Sequence, residues 1–194
     1  MGRIKSALEI ALERTEAVKG DKASIDLFEA KQRGKKIAND FLTGEVKSLE
    51  EEIKKTPKEQ RKNLKQGIFD VLLSQITLPN TPEDEKRLDA VGKGLQALLG
   101  NPRFNALYKQ FTQGITQYQS DVVKYEDLIK RQYAPKLRQK EEELSRRLGR
   151  AVQIDPFQDP EFVVFYNQNM TSLRNNYQAM VNQVQEQTRQ LFIA

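Results

Sequence analysis

A chain of 194 residues with 38% hydrophobic content can bury one large core or two small helical ones, and at that apolar content elongated helical packing fits better than a compact globule. It contains no cysteine, histidine or tryptophan, which excludes disulfides, zinc sites of the usual ligand set, thiol nucleophiles, imidazole-based triads and the helical di-iron site. The net charge of +5 is unevenly placed: residues 101–150 hold 11 basic and 6 acidic side chains, whereas residues 151–194 hold 2 and 4.

The opening stretch MGRIKSALEIALERTEAV sets Ile4, Ala7, Leu8, Ala11, Leu12 and Val18 on one stripe. A membrane-surface helix would carry a basic polar face. Here that face mixes Lys5, Glu9, Glu13, Arg14 and Glu16, so the pattern predicts an amphipathic helix packed on another helix rather than a signal peptide. No apolar run is long enough to span a bilayer, and the chain reads as cytoplasmic.

Proline follows a capping residue four times: Thr56-Pro57, Thr81-Pro82, Asn101-Pro102 and Asp159-Pro160. Each pair offers a side-chain oxygen to the free amides of a helix start and a first helical residue that needs no donor. Thr56 with Glu59 also reads as a capping box. These marks divide the chain into helices over roughly 3–19, 24–55, 57–77, 82–99, 102–150 and 160–193. In the one short apolar run, GIFDVLLSQITL, the apolar residues recur at helical spacing, so no strand competes. The fold class is all-α.

From Phe104 the fifth helix shows steps of four and three: Tyr108, Phe111, Ile115, Tyr118, Val122, Tyr125, Ile129. The last helix repeats the rule with Val163, Tyr166, Met170, Leu173, Tyr177, Met180 and Val184, then Gln187 and Leu191. Two such heptad seams joined by GRAVQIDPFQDP predict an antiparallel, coiled-coil-like hairpin over 101–194, with the helices of 1–100 as its base. The alternative is one continuous domain. The final helix would extend about 50 Å. Seam tyrosines suit a partly wet interface, ring inward and hydroxyl at the rim. Beyond Ile129 the steps to Tyr133 and Leu137 form a stutter that contains Pro135, which predicts a kink or short break near 131–135.

Eight cations crowd this segment: Lys130, Arg131, Lys136, Arg138, Lys140, Arg146, Arg147 and Arg150. As a free cluster they would contact a protein partner or phosphates, the latter in a salt-sensitive way. Glu142 and Glu143, four residues before Arg146 and Arg147, favour an ordinary solvated helix face instead. Smaller basic clusters occur at Lys31, Arg33, Lys35 and Lys36 and at Lys58, Arg61, Lys62 and Lys65. Between Asn167 and Gln190, eleven of 24 residues are asparagine or glutamine, a face without charge repulsion and therefore permissive for helix association.

Two acid pairs at spacing three, Glu13/Glu16 and Asp26/Glu29, resemble the Glu-x-x-Glu and Glu-x-x-Asp pattern of the all-α nucleotide pyrophosphohydrolases, with the second pair in reverse order. That resemblance implies magnesium-assisted phosphate chemistry on carboxylates. Gly92, Gly94 and Gly100 lack the lysine of a phosphate loop. The stretches NPRFNALYKQF and DPEFVVFYNQNM, each an Asn/Asp-Pro start to a heptad helix, resemble the small helical YlbF-like family, and the opening MGRIKSALEIALERTE looks like uncharacterised bacterial helical proteins; neither resemblance implies an activity. With no catalytic, cofactor or metal residues specified, the sequence reads as a non-enzymatic helical interaction protein that binds a protein partner or itself, with nucleic-acid or ribosome binding as the first alternative and the pyrophosphohydrolase as the second.

Overall fold

The structure, a computed structural model, describes the backbone of residues 7–193 and the side chains of residues 24–81 and 83–193. The described residues form six helices: α1 (Ala7–Thr43), α2 (Leu49–Lys55), α3 (Arg61–Ser74), α4 (Pro82–Leu99), α5 (Pro102–Leu148) and α6 (Pro160–Ile193), with 3-10 turns at Lys58–Gln60 and Pro156–Gln158. The described residues contain no strand, and no helix among them is long and apolar enough to cross a membrane.

Three of the four proline marks start helices as read. Thr81 accepts from Asp84 N while the Asp84 carboxylate accepts from Thr81 N, which closes a capping box at α4. Asn101 Oδ1 accepts from Arg103 N (3.0 Å) and Asp159 Oδ1 from Glu161 N (3.1 Å). Thr56 is the exception. It ends α2 rather than starting α3: its hydroxyl donates back to Glu52 O (3.0 Å) and the residue is 1% exposed. The extended backbone that proline imposes on its predecessor serves a helix exit as well as an entry. Arg61 then donates to Thr56 O (2.8 Å) and Lys54 O (2.9 Å), covering carbonyls that α2 leaves free.

The expected division at residues 19–24 is absent, since α1 is helical from Ala7 through Thr43. A glycine inside a helix costs only about 1 kcal/mol relative to alanine, too little for Gly20 to end one this long. The break falls at Gly44, with φ +87°, and Ser48 caps α2 from the far side of the turn. The stripe from Ile4 to Val18 and the pair Glu13/Glu16 lie outside the described side chains.

The chain forms two compact units: Met1–Ile76 with Asn80–Phe104 and Thr188–Ala194, and Thr77–Pro79 with Asn105–Gln187. Seam residues Phe104 and Leu191 therefore belong to the first unit. Its buried residues include Ile37, Leu64, Ile68, Leu72, Val91 and Leu95, and the rings of Phe69 and Phe192 stack at 4.0 Å between centroids. The core is organised by a helix crossing at two glycines. A Cβ on Gly34 would overlap Leu64 O, and one on Gly67 would overlap Lys31 O. The α1 and α3 backbones thus touch where each lacks a side chain, and Lys31 Nζ reaches Asp70 Oδ2 at 2.8 Å beside that contact.

In the second unit α5 and α6 pack side by side, in opposite directions. Met180 sits on Gly114, where a Cβ would collide with its sulfur; Tyr118 meets Tyr177 at 5.1 Å; Tyr133 meets Phe162 at 5.2 Å. On α5 the inner line is buried at Tyr108, Phe111, Ile115, Tyr118, Ile129 and Tyr133 and half-buried at Val122 and Tyr125. On α6 the deepest positions are Phe162, Val181 and Val184, whereas Val163, Tyr166, Met170, Leu173, Tyr177 and Met180 are half-buried and Gln187 is exposed. The helix stays α-helical through Pro135, so of the expected kink or short break at 131–135 the break does not occur. Proline removes one hydrogen bond there, and Ile129, Tyr133 and Leu137 hold the inner face in place around it.

Candidate functional site at the α5–α6 turn

The ionisable groups of the second unit converge where α5 ends and α6 begins. Asp159 caps α6 and is only 5% exposed. Its carboxylate accepts from the Tyr133 hydroxyl (2.9 Å) and, through both oxygens, from Lys140 Nζ (2.8 and 2.7 Å). Lys140 Nζ also donates to Glu161 Oε2 (2.6 Å), and Lys136 Nζ approaches the same oxygen at 3.0 Å. The hydrogen bonds from Lys140 hold the Asp159 and Glu161 carboxyls below the usual range, and those carboxylates in turn raise the Lys140 ammonium. Burial, followed by the bond to Asp159, raises Tyr133.

Two further tyrosines repeat the arrangement along the helix pair. The Tyr166 hydroxyl donates to Glu126 and the Tyr177 hydroxyl to Asp121 Oδ2 (2.6 Å). Burial, then the bond to Glu126, pushes Tyr166 up to about 12; the bond to Asp121, then burial, does the same for Tyr177. Each ring fills the seam while its hydroxyl reaches an acid of the opposing segment. Sequence spacing placed the rings, but the acids fall on the flanks of the seam, where no periodicity marks them.

The connecting loop is tied to α5. Val152 N donates to Ser145 Oγ (2.9 Å) and Ile154 N to Glu141 Oε1 (2.9 Å). Phe157 sets its ring edge-on against Phe162 and Tyr166, both at 5.2 Å, and Lys130 Nζ stands 5.9 Å from its centroid. Between loop and helix lies an open hollow of about 380 Å³, lined by Leu144, Ile154 and Pro160 together with Lys140, Glu143, Arg147, Gln158 and Asp159.

The proposed basic zone therefore divides. Lys136 and Lys140 pair with acids from α6 and its cap, Arg147 with Glu143 at 2.5 Å and Arg146 with Glu142 at 3.9 Å. Arg131, Arg138 and Arg150 are exposed and enter none of the ion pairs among the described residues. Of the smaller clusters, Lys31 is paired with Asp70 and Arg61 is hydrogen-bonded to carbonyls, leaving Arg33, Lys36, Lys58 and Lys62 exposed. Asp26 is half-buried and Glu29 exposed, and no group of three or more potential metal ligands exists among the described residues. The amides Asn167, Gln168, Asn175, Asn176, Asn182 and Gln183 line exposed faces of α6.

A family model covers residues 50–190, from α2 through nearly all of α6. The chain belongs to DUF6657, a family of unknown function. The DUF6657 match contains the whole Tyr133–Lys140–Asp159–Glu161 cluster and begins after α1. No curated protein and no solved structure matches the chain.

Proposed function

We propose that this DUF6657 protein is a non-enzymatic, cytoplasmic helical scaffold whose α5–α6 pair is a coiled-coil-like arm that binds a protein partner. The carrying observation is how the turn distributes its groups. The ionisable residues that could do chemistry, Tyr133, Lys140, Asp159 and Glu161, bond to one another, while Leu144, Leu148 and Phe157 stand 38%, 57% and 48% exposed around them. Exposed apolar groups gathered beside a rigid polar framework mark a contact surface rather than a reaction centre.

The test is purification of the full chain from its native cell after lysine cross-linking, with the linked peptides mapped. Cross-links from Lys130, Lys136 or Lys140 to another polypeptide are expected. Cross-links confined to residues of the first unit, or a chain that shows no link to any second polypeptide, its own copy included, would overturn the reading. Arg131, Arg138 and Arg150 support nucleic-acid binding as a second reading. A filter-binding titration against generic RNA and DNA at two salt concentrations decides it, and an absence of salt-dependent retention removes it.

A further inference from the structure

The helix α5 outlasts its partner. Lys140 is level with Asp159 and Glu161 at the start of α6, and two further turns of α5 follow, ending at Leu148. Of their inner-stripe residues, Leu144 borders the connecting loop instead of a helix. Half-buried Ile154 covers part of that face, and what it leaves open is the hollow lined by Leu144, Ile154 and Pro160. One helical turn on, Leu148 is 57% exposed. A hole and a knob thus lie on one surface, about 6 Å apart along the helix axis.

Charge selects the occupant. Lys140 is paired with Asp159 and Arg147 with Glu143, so the rim of the hollow has no unpaired cation or anion. Over residues 136–161 basic and acidic side chains balance at six each. A phosphate or an acidic peptide finds no unpaired cation in the hollow itself, since Arg138 and Arg150 lie outside its lining, and two such rims do not repel. The hollow fits an uncharged aliphatic side chain, and the surface that presents one beside a matching hole is this same surface.

We infer that the α5–α6 turn is a self-association surface on which two copies of the chain meet about a two-fold axis, each Leu148 seated in the other's hollow between Leu144 and Ile154. A two-fold contact of this kind needs the same patch to be self-complementary, and hole plus knob is that property. The inference rests on the interaction reading above and names its partner as a second copy. The patch is small beside the roughly 1,200 Å² or more that stable interfaces bury, so the dimer is weak and concentration-dependent.

Sedimentation velocity on the full chain, from micromolar to near-millimolar concentration, tests it. The sedimenting mass of the unaltered chain should rise toward twice the monomer. Leu148→Asp places a charge on the knob, at a residue exposed enough to leave folding intact, and should weaken association at least tenfold; Leu144→Arg should do the same by filling the hollow. Val123→Asp, at an α5 residue 62% exposed and outside the turn, should change nothing. Circular dichroism on each variant confirms that helix content is kept. A chain that stays monomeric throughout, a dimer that survives Leu148→Asp, or equal weakening by Val123→Asp would overturn the inference. If the chain is monomeric yet cross-links from Lys140 reach a different protein, the two-fold contact fails and the interaction reading stands; a monomer that captures nothing defeats both.

Discussion

The two units hold their helices together by opposite means. In the first, α1 and α3 approach until backbone meets backbone, because Gly34 and Gly67 leave nothing between them. In the second, α5 and α6 are kept apart by rings, and the polar ends of three tyrosines are tied to Asp121, Glu126 and Asp159. The glycine contact is specified by shape alone and tolerates no added atom. The tyrosine contacts are specified by shape and charge together, so they depend on alkaline pH where the glycine contact does not; in acid the crossing responds too, because against burial the bonds from Lys31 and Gln66 hold the Asp70 carboxyl beside it below its ordinary value.

The sharpest way to break the comparison is at the glycines. Gly67→Val forces the two backbones apart and should cost about 3 kcal/mol, at the upper end of overpacking penalties, read as a lowered urea midpoint. A wild-type midpoint would mean that α1 and α3 can separate freely, and the contrast would lose its first half. Asp159→Ala comes next. It removes the cap of α6 and leaves the buried Tyr133 hydroxyl only the longer contact to Glu161 Oε2 at 3.4 Å, a loss on the order of 2 kcal/mol, which urea unfolding monitored by tyrosine fluorescence should detect.

A smaller effect should separate the units by pH. The Asp121, Asp159 and Glu161 carboxyls titrate below their ordinary values in the folded chain, so the stability they supply is complete above about pH 5 and declines as pH falls through the folded values. Tyr166 and Tyr177 have the opposite sign. Raised to about 12, they stabilise fully below pH 10, and that contribution is lost as pH rises toward 12. Hydrogen exchange should therefore show amides of 105–187 losing protection at both extremes, and Tyr177→Phe should flatten the alkaline side. On the alkaline side, equal loss at Gly34 and Gly67 would contradict the contrast. The least effect belongs to Arg147→Ala, whose exposed i,i+4 pair with Glu143 should leave the urea midpoint nearly unchanged.

Much of the helix pair was legible in advance. The boundaries of α4, α5 and α6 followed from Thr81-Pro82, Asn101-Pro102 and Asp159-Pro160, since a capping oxygen and a residue without a donor act locally whatever surrounds them. The inner line of α5 also followed from spacing. On α6 the heptad spacing picks out Val163, Met180 and Gln187, where Phe162, Val181 and Thr188 are the buried residues. A single line through the heptads is narrower than the apolar face a packed helix presents, so neighbouring residues compete for the deepest place and only the partner's shape selects between them.

The candidate site was half visible. Lys136 and Lys140 stood out as part of a cation run, but Asp159 and Glu161, nineteen and more residues away, could be assigned to them only after the chain had turned. The glycine crossing had no signal at all, because a glycine inside a helical stretch does not say which backbone comes to meet it.

By itself, the sequence determined what is local: an all-α chain, where most helices start, and which side of α5 turns inward, because capping and periodicity act within a few residues of one another. Tertiary structure alone decided which charges are neutralised across the α5–α6 turn, which glycines touch, and that Leu144 and Leu148 extend past the start of α6. Those outcomes depend on distances between residues far apart in the chain, and such distances are fixed only when the helices pack.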